Sequence, residues 1–124
     1  MGEEERRMAE RFRIDQMIGY YPNREEYLWA EGLNLSAGGL QCSSKEAVDP
    51  LTNVYLMIGV PSAEGEHLVH CEGFVAYSRI EEDGLCRFGV RFESIAEEDK
   101  PFLNAFLGQL GEIPPPAAFP TLGL

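Results

Sequence analysis

The sequence predicts a mainly β domain, an antiparallel barrel followed by one C-terminal α-helix. Two observations lead there. From Phe12 to Phe92 short apolar runs alternate with Gly, Pro, Asn and Asp turn signals, the pattern of many short strands in sequence. Beyond Glu97 the period changes: Phe102, Leu103, Phe106, Leu107 and Leu110 recur at helical spacing and define one apolar face.

A chain of 124 residues with 44% hydrophobic content suffices for one domain with a modest core and is too short for two. The formal net charge of −11 argues against an extended basic groove for a DNA or RNA polymer and against an acidic-membrane anchor. A small anionic ligand is a separate case, because a local arginine cluster acts largely independently of carboxylates beyond a Debye length of about 8 Å. Cys42, Cys71 and Cys86 are odd in number and irregular in spacing, which points to reduced, buried thiols and to the cytoplasm. The acidic N-terminus does not match a signal peptide, and the longest apolar run, Val54 to Val60, falls far short of a membrane span, so no membrane insertion is expected.

The first strand follows from Phe12, Ile14 and Gln16 alternating with Arg13 and Asp15 and continuing to a Pro22-Asn23 break; Arg13 then faces away from Phe12. Glu25-Glu26 leads into a second strand, Tyr27 to Leu33, with Trp29 as core or strand face. The strand resumes at Leu40 to Cys42, and Ser43 to Asn53 is a connection with an Asp49-Pro50 turn signal. Val54 to Val60 is a buried-type strand, Pro61 to Glu66 a loop, and Leu68 to Tyr77 a strand with a bulge or bend at Gly73. Asp83-Gly84 turns the chain into a partner strand, Leu85 to Phe92. Ser94 and Glu97 have capping-box spacing, but Pro101 would then lie too deep in the helix; a cap at Asp99 fits better. Pro114, Pro115, Pro116 and Pro120 exclude helix from the tail, residues 111–124, which reads as flexible or extended.

Between the second and third apolar runs stands Asn34-Leu35-Ser36-Ala37-Gly38-Gly39, short polar side chains followed by glycines that allow positive φ and close approach. Asn34 and Ser36, two apart, share a face on extended backbone. The same residue types also make an ordinary turn. Upstream, Arg7 and Arg11 stand in an R-x-x-x-R spacing within an arm, residues 1–13, that lacks an apolar face; Glu3 with Arg7 and Arg6 with Glu10 could pair on a solvated helical turn. Together these motifs resemble the PilZ domain family, which pairs R-x-x-x-R with a downstream (D/N)-x-S-x-x-G, matched here by Arg7, Arg11, Asn34, Ser36 and Gly39.

The resemblance implies a six-stranded β-barrel with a following helix over residues 14–110, binding the bacterial second messenger cyclic di-GMP. It assigns the arginines to phosphate and guanine, Asn34 and Ser36 to other polar edges of the ligand, and Gly39 to close approach of the loop. Arg6, beside the motif, occupies a position associated with ligand number and suggests a stacked pair of ligands. No output domain is attached, so the resemblance implies a regulatory receptor that signals to a protein effector in trans, in motility, pili or exopolysaccharide synthesis. The alternative is a PilZ-type protein–protein interaction domain that does not depend on nucleotide. A rival metal site from His67, His70 and Cys71 with Cys42 or Cys86 is disfavoured, because the histidines face opposite sides of a strand and the spacing matches no strong zinc pattern. No nucleophile elbow, phosphate-loop lysine or zinc-protease motif occurs, and the reading is of a protein without enzymatic activity or cofactor.

Overall fold

In the computed structural model the described residues are 12–21 and 24–109. Arg6, Arg7, Arg11, the Pro22-Asn23 break and the proline-rich tail with Leu110 lie outside them. The elements are β1 (Arg13–Tyr21), β2 (Arg24–Tyr27), β3 (Ala30–Ser36), β4 (Gly39–Ser44), β5 (Asn53–Ser62), β6 (Gly65–Ile80), β7 (Cys86–Ile95), a 3-10 turn (Glu97–Asp99) and α1 (Lys100–Gln109).

Among the described residues seven strands, not six, form one antiparallel sheet in the order β2-β1-β5-β6-β7-β4-β3. The difference arises at Leu28-Trp29, which breaks the run expected as a single second strand. There Leu28 donates its N–H to Met17 O at 2.9 Å, turning the chain from β2 into β3. The sheet curls into a half-barrel whose ends meet through packing, with the Phe12 ring lying against Gly32. The loop expected from Pro61 to Glu66 is tighter, since β5 and β6 pair as far as Ser62 with Gly65. The register does shift at Gly73, with the extra residue, Glu93, on the facing β7, and Gly84 takes a φ of +85° in the turn before β7.

Alternation along the strands puts Leu40, Leu56, Ile58, Val60, Val69, Val75, Phe88 and Val90 on the inner face. Leu103, Phe106 and Leu107 of α1 cover that face, as the helical spacing predicts, whereas Phe102 stays 37% exposed. Cys42, Cys71 and Cys86 are free and buried in this core, and burial pushes the Cys71 thiol up to about 12. Trp29 is not core: it is 83% exposed.

Asp99 precedes α1 as expected of a cap, but its carboxylate serves the sheet. One oxygen meets His67 Nε2 at 2.8 Å; the other takes the His70 backbone N–H at 3.0 Å and His70 Nδ1 at 2.9 Å. His67 in turn stacks on Phe102, with ring centroids 3.5 Å apart. The histidines converge because Asp99 sits beyond the end of β7, along the edge of β6, where side chains from either face reach it. Burial alone would raise the Asp99 pKa, but the bonds from His67 and from the His70 backbone and ring outweigh it and hold it below the usual carboxylate value.

Asp99→Ala should therefore cost about 2–3 kcal/mol at neutral pH, measured by urea unfolding. A lowered folded-state pKa contributes stability that is full above the ordinary carboxylate value of about 4 and lost as pH falls through the folded value. The gap between parent and variant should accordingly narrow in acid.

Candidate functional site

The motif residues Asn34, Ser36 and Gly39 fall on the β3–β4 hairpin. A bulge at Leu33 separates the pairs Gly32↔Cys42 and Asn34↔Gln41. Cys42 faces the core and Gln41 does not, so the extra residue moves Asn34 from the inner to the outer face. Leu35↔Leu40 then returns inward and Ser36↔Gly39 outward, so Asn34 and Ser36 share a face.

Their surroundings differ. Asn34 is exposed, whereas Ser36 is 3% exposed, its hydroxyl accepting the Gly38 N–H at 3.2 Å and donating to Gly39 O at 3.4 Å. Phe92 N–H to Gly38 O at 2.9 Å ties the turn to β7. Neither Gly38 nor Gly39 uses a left-handed φ. Gly39 is required for another reason: a Cβ there would stand 2.1 Å from Val90 O on the neighbouring strand.

Strand pairing extends this hairpin into a surface that motif reading alone does not reveal. Across the outer face Asn34 pairs with Gln41, Gln41 with Gly89 and Gly89 with Tyr77. The row spans β3, β4, β7 and β6, about 14 Å at ordinary strand spacing. Tyr77 lies flat over Gly89, and its hydroxyl accepts a hydrogen bond from Gln41 Nε2 at 2.8 Å. The next row places Arg91 opposite Gly39. Arg91 is exposed and makes no ion pair among the described residues. Arg87 follows on the same face, its Nε buried without a hydrogen-bond partner and its nearest carboxylate, Asp83, 4.0 Å away. The alternation Arg87, Gly89, Arg91 against Phe88 and Val90 is visible in the sequence; its position beside the hairpin depends on the nonlocal pairing of β4 with β7.

Arg6, Arg7 and Arg11 lie outside the described residues, but Phe12 fixes where their segment joins the fold. Its ring is 8% exposed and sits against Gly32, two residues before Asn34. Arg13 belongs to β1 and is committed elsewhere: Nε and Nη2 bond Glu66 at 2.6 and 2.7 Å, and Nη1 meets Asp15 at 2.9 Å. The hydrogen bond from Arg13 lowers the Glu66 pKa and holds that carboxylate charged. Asn34, Gln41, Tyr77 and Arg91 together can hydrogen-bond a base edge, stack on a ring and pair with a phosphate.

A family model described as the PilZ domain matches residues 5–109. No curated protein and no solved structure gives a significant match.

The two hairpin glycines should separate cleanly on substitution. Gly39→Ala should destabilise by about 1–3 kcal/mol through its clash with β7. Gly38→Ala, with nothing within 4 Å of the added methyl, should stay within about 0.5 kcal/mol. Urea midpoints of both variants check this.

Proposed function

The chain belongs to the PilZ domain family, and on that premise we propose that it is a non-enzymatic receptor for cyclic di-GMP, acting on a protein effector in trans. The observation that carries this reading is one outer face holding Asn34, Gln41, Tyr77 and Arg91, which makes no ion pair among the described residues, with Phe12, the residue that follows the R-x-x-x-R motif, packed against Gly32 of the same β3. In this reading Arg7 and Arg11 approach the ligand from the arm, Asn34 hydrogen-bonds a polar edge, and Tyr77 and Arg91 offer a ring face and a charge. Ser36 and Gly39 act one step back: Ser36 closes the turn and Gly39 lets β4 lie against β7, which together hold Asn34 in place.

That division of labour also supports a second reading, an interaction domain independent of nucleotide. Ser36 and Gly39 are demanded by the fold itself, so a chain that never met the ligand would retain them. Asn34 and Arg91 have no such structural duty among the described residues, and they discriminate.

Titration calorimetry with cyclic di-GMP tests the receptor reading. Arg7→Ala, Arg11→Ala and Arg91→Ala should each weaken binding by about 1.5–3 kcal/mol, the range for a charge-assisted hydrogen bond. Unchanged affinity in all three would sink it. Two ligands per domain for the parent chain, falling to one in Arg6→Ala, would assign Arg6 to a second, stacked ligand.

The output in this reading is closure of the arm over the outer face, which a ligand drives only by binding the closed form better. Amide exchange of residues 6–12 should slow on adding cyclic di-GMP. Equal protection with and without ligand, once binding is established, would remove the switch and leave the receptor.

A further inference from the structure

The corner between β2 and β3 carries a feature that nucleotide binding does not use. Trp29 is 83% and Tyr27 55% exposed, and their rings stack with centroids 6.2 Å apart and planes 25° apart. Beside them runs a groove of about 590 Å³, lined by Leu28 and Val48 and by Glu26, Glu31, Lys45 and Glu46. Single exposed aromatics need no explanation, but two held face to face over a partly apolar groove have the composition of an interface anchor. The backbone beneath is fixed by the Leu28 to Met17 hydrogen bond, so the rings are displayed from a rigid corner.

Charge selects the occupant. Among the described residues lining the groove, carboxylates outnumber lysine, and the whole chain, at −11, attracts cations from a distance. A guanidinium suits both parts of the site, lying flat on the indole while pairing bidentately with a carboxylate. The rings also stand out from the surface, whereas a small-molecule site encloses most of its ligand. We propose that the Tyr27–Trp29 face is a docking surface for an arginine-bearing, cationic segment of a partner protein.

This surface and the nucleotide face lie toward opposite ends of β3: Ala30 pairs with Ser44 near the aromatic corner, and Ser36 with Gly39 at the hairpin, about 20 Å away. Both can be occupied together. The surface gives the effector contact of the receptor reading its chemistry and rests on that reading for its role, while its capacity to bind is tested without nucleotide.

Trp29 is the chain's only tryptophan, so its emission reports on this corner alone. The full chain, free of nucleotide, is titrated with a synthetic peptide alternating arginine and glycine, and with the analogue carrying glutamine for arginine. A saturable change in Trp29 emission is expected with the first and none with the second. By anisotropy of the labelled peptide, Trp29→Ala should weaken binding about tenfold or more although net charge is unchanged. Glu31→Gln combined with Glu46→Gln should weaken it and flatten its salt dependence. Equal binding by Trp29→Ala would falsify the proposal, leaving only general attraction to an acidic chain. It is equally overturned if Trp29 in the peptide-free protein is already shielded from acrylamide, showing the chain's own segment in the groove, or if that shielding vanishes on dilution, showing a second copy. Cyclic di-GMP titration of Trp29→Ala keeps the two readings apart: loss of peptide binding with nucleotide affinity intact supports this surface, peptide binding retained counts against this surface alone, and failure of the parent chain to bind nucleotide counts only against the receptor.

Discussion

The close approach of β7 to both its neighbours is the constraint on which the rest depends. On one side a Cβ at Gly39 would stand 2.1 Å from Val90 O, and on the other a Cβ at Gly73 would stand 2.0 Å from Arg91 O. Two adjacent carbonyls of one strand are thus flanked by glycines from β4 and β6. Side chains at those positions would hold the strands apart or force the ladder to bend elsewhere. Bulges in β3 and β6 add to the curl. With the sheet wrapped this tightly, β3 comes round to β1, Phe12 reaches Gly32, and Arg91 lies between the hairpin and the strand bearing Tyr77.

The inner face is closed by α1, and Asp99 determines how the helix is attached. Apolar contact through Leu103, Phe106 and Leu107 supplies most of the burial, but such contact tolerates sliding. A buried carboxylate accepting from both histidines and from a backbone N–H does not, because a shift of the helix start would leave a charge without partners. The stack of His67 on Phe102 carries the same registration into the first turn of α1.

A negative net charge does not prevent arginines from clustering on one face once charge is treated locally. Arg79, Arg87 and Arg91 line the outer face of β6 and β7; among the described residues Arg79 pairs closely with Glu81 and Arg87 stands 4.0 Å from Asp83. Arg13 is held by Glu66 and Asp15 and contributes no free charge there. At the far end of β3 the balance reverses, with Glu26, Glu31 and Glu46 near the aromatic pair. Arg87 and Arg79 share a row with Ser43 and Glu31, so Arg91, level with Gly39 at the hairpin, is the arginine that stands apart from those carboxylates.

The sequence by itself determined the strand-rich class, the C-terminal helix, the irregularity at Gly73, the turn at Asp83-Gly84 and the hairpin bearing Asn34, Ser36 and Gly39, because each depends on a period or a turn residue read within a few positions. Tertiary structure decided what depends on neighbours distant in the chain. Whether Gly39 serves a ligand or a strand contact required Val90; whether His67 and His70 could meet required Asp99 at the edge of β6; and Arg91 gained its place only when β4 paired with β7. Trp29 followed the same logic, since its apolar character suggested core or a strand face while the break after β2 turned it outward between strands. Local pattern fixes which face of a strand a residue takes, but strand order and curl decide what stands beside it.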